Sequence, residues 1–112
     1  MSILSSIFGK KTSQNDALIV LNPDEFRHHT EGKKVQLIDV RTPKEYMSGH
    51  IKGAKNIDFF SSKFTIEFNK LNQELPVYVY CRSGVRSRQA GKKLTKMGFI
   101  KIYDLKGGIL NY

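Results

Sequence analysis

Apolar residues come in short bursts along the chain, and the bursts alternate between two periods. ALIVL at 17–21, VQLIDV at 35–40, VYVY at 77–80 and IYDL at 102–105 are runs of strand length. The run at 77–80 has no polar break, which predicts a strand buried on both faces. A brief further strand is predicted over 54–57. Between these runs the period becomes helical. Asn22-Pro23-Asp24-Glu25 supplies a helix start: Asn as N-cap, Pro in the first turn, Glu three residues after the cap. Thr42-Pro43-Lys44-Glu45 repeats that chemistry, and Gly49 suits the stop. Phe64, Phe68 and Leu71 predict a helix within 61–71. Ala90, Leu94 and Met97 mark one face of another, ended by Gly98 and Phe99 in a Schellman-type turn.

Strands alternating with helices predict an α/β fold, a small, mostly parallel central sheet flanked by helices on both faces. The length suits one domain, placed at 17–112, with residues 1–16 as a segment outside it. That segment carries Ile3, Leu4, Ile7 and Phe8 with no basic residues before them. Its apolar part is too short and broken for a secretion signal. It reads better as a frayed or docking segment than as a membrane anchor, because so few residues would be buried. No stretch approaches the ~20 apolar residues of a membrane span. The chain has one cysteine, so no internal disulfide forms, and a cytoplasmic location is expected.

Charge narrows the partners. Nineteen Lys and Arg against ten Asp and Glu leave a net charge of +9, which favours anions: a small molecule, an acidic protein face or nucleic acid. The chain lacks a run of five basic residues, zinc-ligand spacing and an aromatic-rich strand of the RNA-binding kind, so nucleic acid is the weakest of the three. His28 and His29 diverge on a helix and lack a third ligand, so no metal is expected.

In open α/β sheets, sites lie beyond the carboxyl ends of strands. Cys81 stands at such an end, followed by Arg82, Ser83, Gly84, Val85, Arg86 and Ser87. A tight turn into a helix aims several backbone N–H groups inward, and Gly84 permits a left-handed residue there. The helix start adds unpaired N–H groups and its positive dipole end. The product is a nest for negative charge. A thiolate at its centre would be stabilised. Arg82 and Arg86 add charge or draw in an anionic donor. Ser83 and Ser87 hydrogen-bond the sulfur or cap the turn, with Ser87 placed as an N-cap. The plainer alternative makes Cys81 a small buried hydrophobe. The glycine, the arginines and the helix start weigh against it.

Three segments extend this reading. LIDVRTPKEYMSGHIKGAKNI at 37–57 fits D-V-R-x-x-x-E-[YF]-x-x-G-H-I-x-G-A-x-N-I. CRSGVRS at 81–87 is similar to an active-site loop, and LKGGILNY at 105–112 to a G-G-x-x-x-W ending with Tyr112 in place of Trp. On these the chain resembles the single-domain rhodaneses over about 21–112. The resemblance implies a sulfurtransferase without metal or organic cofactor. Cys81 would take the outer sulfur of a small anionic donor such as thiosulfate and pass it to a thiol or cyanide acceptor. Phosphatases and arsenate reductases of similar fold place five residues between Cys and Arg. Here four residues separate Cys81 from Arg86, and six separate it from Arg88. The smaller loop suits a sulfur atom better than a tetrahedral oxyanion. Two readings from other classes stand beside this one: a non-catalytic interaction module of the same fold, and a redox sensor that pairs Cys81 with another protein's thiol.

Asp39 and Arg41 also reach the site end of their strand. Functionally, Asp39 would anchor the cysteine loop and Arg41 shape the substrate mouth. Structurally, Asp39 would accept backbone hydrogen bonds and Arg41 would pair with Glu45. The structural role is preferred for Arg41 and Glu45, while Asp39 is open. His50 is read as a turn residue bonded to backbone, not a general base. Arg88, Lys92 and Lys96, with Lys93 beside them, form a basic stripe. It is read as a solvated face that could also dock an acidic carrier protein. Gly107-Gly108 is read as a chain turn.

Overall fold

In a computed structural model, residues 17–112 are described; the expectations for 1–16 lie outside them. Five strands form one all-parallel sheet in the order β1-β5-β4-β2-β3, where β1 is Leu18–Leu21, β2 Gln36–Asp39, β3 Lys55–Asn56, β4 Val77–Tyr80 and β5 Ile102–Leu105. Every residue of β4 is buried, which explains its unbroken apolar sequence: it is central and covered on both faces.

Four α-helices connect the strands: α1 Pro23–Thr30, α2 Pro43–Met47, α3 Phe64–Phe68 and α4 Val85–Met97. Both predicted capping boxes form. Asn22 Oδ1 accepts the Glu25 N–H at 2.9 Å, and Glu25 accepts the Asn22 N–H at 3.2 Å. Thr42 and Glu45 do the same at 3.3 and 3.1 Å. Gly98 ends α4 at φ 111°, and the Phe99 N–H bonds back to Leu94.

The helix predicted within 61–71 shrinks to Phe64–Phe68. Lys63 offers no side-chain cap, and the Ser61 hydroxyl draws the Lys63 N–H into a turn before the helix. A second turn, Leu71 N–H to Phe68 C=O at 3.0 Å, follows it. Helix and turn still bury Phe64 and Phe68 and pack Leu71 against them, so the apolar spacing is used without a full helix.

Alternation splits the core in two. On one face Ile38, Val77, Val79, Cys81 and Ile102 meet Phe64 and Phe68 of α3 and Ala90 and Leu94 of α4. On the other, Leu37, Tyr78, Tyr80 and Leu105 meet Phe26 of α1, with Tyr46, Ile109 and Tyr112 against them. The helices therefore lie on both faces. Among the described residues no helix is long and apolar enough to cross a membrane.

Candidate active site

The chain leaves the sheet at Cys81 and enters α4 at Val85, so three residues make the turn. Gly84 is the N-cap of α4, held at φ 104°, a left-handed conformation that only glycine adopts without strain. Its N–H points at the Cys81 sulfur, 3.1 Å away. Cys81 itself is only 1% exposed.

The C-terminal turn is bonded to this loop. The Ile109 N–H donates to the Cys81 carbonyl at 2.9 Å, and the Leu110 N–H donates to the Arg82 carbonyl at 3.2 Å. Because the peptides are trans, the N–H groups of Arg82 and Ser83 face away from that C-terminal turn. The turn fits because Gly108 sits at φ 69°, ψ −168°, against the loop. A Cβ there would run into the Arg82 carbonyl and come within 2.6 Å of the Ser83 nitrogen. Gly107-Gly108 thus turns the chain, as read, and also clamps the cysteine loop. The doubled glycine was the only sequence signal for it.

The arginines divide the work. Arg86 is not free to meet a donor. It forks onto Glu45 at 2.7 and 3.0 Å, tying the first turn of α4 to α2. That hydrogen bond holds the Glu45 carboxyl down to about 2, against its ordinary 4.5. It also raises Arg86, by more than burial lowers it. Arg82 is exposed beside Cys81 and enters none of the side-chain ion pairs among the described residues. It is the loop cation available to an incoming anion. Ser83 and Val85 are exposed, and the Gly84 N–H alone is bonded to the sulfur among the described residues. Ser87 is not the N-cap: it lies inside the first turn of α4, buried, its hydroxyl donating to the Gly84 carbonyl at 3.3 Å. Gly84 takes the cap position because a left-handed residue is needed there.

Asp39 and Arg41 do not meet the cysteine. Arg41 pairs with Asp39, not with Glu45, at 2.7 Å, and its own backbone N–H also donates to Asp39 at 2.9 Å. Both residues are buried, and Asp39 raises the Arg41 pKa, chiefly through that hydrogen bond. Arg41 reaches on to the Gly49 carbonyl, and Asn56 donates to the carbonyls of Asp39 and Arg41. The pair braces its own corner; no side-chain hydrogen bond links Asp39 to the loop among the described residues. His50 stacks on Tyr46 at 3.7 Å between centroids, with Nδ1 2.9 Å from the Tyr46 carbonyl oxygen, the turn role expected of it. His29 meets the Tyr78 hydroxyl at 3.0 Å. Tyr112 packs edge-on to Phe26 with the Arg27 guanidinium 3.9 Å from its ring centre, filling the place of the bulkier Trp.

The basic stripe loses a member. Arg88 turns inward, its Nε donating at 3.0 Å to Asp104, a fully buried carboxylate on β5. Burial pushes the Asp104 pKa up, more than Ser87 and Arg88 pull it down. Asp104 was missed in sequence because it sits inside an apolar strand, sixteen residues from its partner.

A parallel sheet that delivers a lone buried thiol into a clamped, glycine-capped loop defines a cysteine-loop α/β protein. The chain belongs to the rhodanese-like domain family, whose family model matches residues 22–112. It is 43% identical over 95 residues to the uncharacterized protein YqhL of Bacillus subtilis, covering 85% of this chain and 72% of that one. It is 34% identical to a tRNA uridine(34) hydroxylase of Pelagibacter ubique, covering 90% of this chain but 34% of the hydroxylase. It is 31% identical to the thiosulfate sulfurtransferase GlpE of Shewanella oneidensis, covering 79% and 85%. Among solved structures, a rhodanese-like domain protein from Staphylococcus aureus superposes with a TM-score of 0.72 at 31% identity, covering 83% and 89%.

Proposed function

We propose that this protein is a cytoplasmic sulfurtransferase that carries sulfur on Cys81. The observation that carries the reading is the Gly84 N–H aimed at the Cys81 sulfur from a loop whose Cys81 and Arg82 carbonyls are bonded to the C-terminal turn. In the first step the Cys81 thiolate attacks the outer sulfur of thiosulfate. A new S–S bond forms, the old one breaks, and sulfite leaves with its electron pair. The product is a persulfide anion, so negative charge stays in the loop and moves outward by one atom. In the second step cyanide or an acceptor thiolate attacks that outer sulfur and frees the Cys81 thiolate. One awkward displacement becomes two easier ones. Amides fixed before the reaction stabilise the charge without reorganising.

The buried sulfur favours donors that present a slim terminal sulfur, and Arg82 supplies the attraction for their charge. An acidic carrier protein is the macromolecular partner of this reading, docking on the exposed Lys92 and Lys96. Its binding to Cys81→Ser would weaken as salt rises. The reaction itself is tested by weighing the intact protein after incubation with thiosulfate. A gain of one sulfur atom, removed by cyanide and absent in Cys81→Ser, is expected. No gain in the wild type overturns the proposal.

A further inference from the structure

Asp104 is a carboxyl group buried in the sheet. It is fully buried, and its Oδ1 is the one buried side-chain polar atom without a hydrogen-bond partner among the described residues. Such a group costs stability, so its presence calls for an explanation. Its place is specific. Asp104 lies opposite Val79 in the β4–β5 register. Cys81 is two residues beyond Val79 and shares its face of the sheet. The group that meets the carboxylate is Arg88, in the first turn of α4, its Nε 3.0 Å from Oδ2. The Arg88 N–H donates in turn to the Gly84 carbonyl at 3.1 Å, as the Ser87 hydroxyl does at 3.3 Å, and the Gly84 N–H faces the sulfur. A chain of contacts therefore runs from Asp104 through Arg88 and Gly84 to Cys81.

We infer that Asp104 is a positioning residue for the cysteine loop, holding the first turn of α4 from beneath so that the Gly84 amide stays on the sulfur. Arg88 reaches in from a half-exposed position and sets the carboxylate's orientation.

The inference uses the proposed sulfur transfer for one readout only; the other is independent of it. In Asp104→Asn the shape remains and one acceptor persists, whereas Asp104→Leu removes both acceptors. Amide hydrogen exchange, followed by NMR, should quicken at Gly84 in the order wild type, Asn, Leu, while the β4 amides keep their protection. A role in stability alone would move both sets together. Single-turnover sulfur loading from thiosulfate should fall about tenfold in Asp104→Asn and about a hundredfold in Asp104→Leu. Unchanged Gly84 exchange in a folded Asp104→Asn overturns the inference. Faster Gly84 exchange in the variants together with a wild type that takes up no sulfur would uphold Asp104 and sink the sulfurtransferase reading instead.

Discussion

Two corners at the carboxyl ends of adjacent strands solve the same geometric problem in opposite ways. Where β2 turns into α2, a buried carboxylate and guanidinium neutralise each other, and Asp39 takes up the Arg41 backbone N–H as well. A Thr–Glu capping box then closes the helix start. Where β4 turns into α4, the helix has no side-chain cap, and the polar atom facing the loop amide is a sulfur. The first corner is saturated and inert. The second leaves a backbone N–H on a sulfur, where the proposed reaction would hold negative charge. Reactivity here is local incompleteness, held in shape by a complete neighbour and by the C-terminal clamp.

The contrast can be broken at either side. Replacing Cys81 with Ser should abolish sulfur loading, with stability changed by no more than about 1 kcal/mol, since a hydroxyl can still accept from Gly84; mass spectrometry and urea unfolding check both halves. Arg41→Met should show the opposite profile. It strands the Asp39 charge in the core and should cost about 3–5 kcal/mol, while the fraction that stays folded loads sulfur at nearly the wild-type rate. Gly108→Ala should damage both properties. It forces a side chain into a conformation reserved for glycine and against the cysteine loop, for about 1–3 kcal/mol and a roughly hundredfold slower loading.

The smallest effect sharpens the link between the corners, the Glu45–Arg86 pair. Glu45 has a folded-state pKa near 2, below its ordinary 4.5, so its contribution is complete above about 4.5 and is lost as pH falls toward 2. Glu45→Gln keeps the capping acceptor but not the charge. It should lower stability by about 1 kcal/mol at neutral pH and remove that part of the acid dependence, measured by denaturant midpoints across the range.

Local chemistry was legible in the sequence, and long-range pairing was not. Asn22 with Glu25 and Thr42 with Glu45 act within one turn, so their spacing announced both caps. Gly98 and the placement of Cys81 at a strand end are likewise matters of neighbours. Arg86 could not be assigned to Glu45 by inspection, because forty-one residues separate them and Arg41 was the nearer candidate. The Arg88–Asp104 pair hides for a second reason: one partner looks like part of a solvated stripe, and the other sits in an apolar run. The clamp escaped because backbone N–H groups of Ile109 and Leu110 do the bonding, and side-chain identity carries no trace of that. Ser61–Leu71 misled through spacing alone, since a short helix and a turn can present the same apolar residues.

One cysteine in this chain means that a sulfur atom taken up at residue 81 has no second thiol of the same chain to move to. A neighbouring thiol would discharge the cargo as hydrogen sulfide and leave a disulfide behind. Without one, the loaded state of the proposed reaction would wait for an outside nucleophile, and the lifetime of the parcel would be set by whoever comes to collect it.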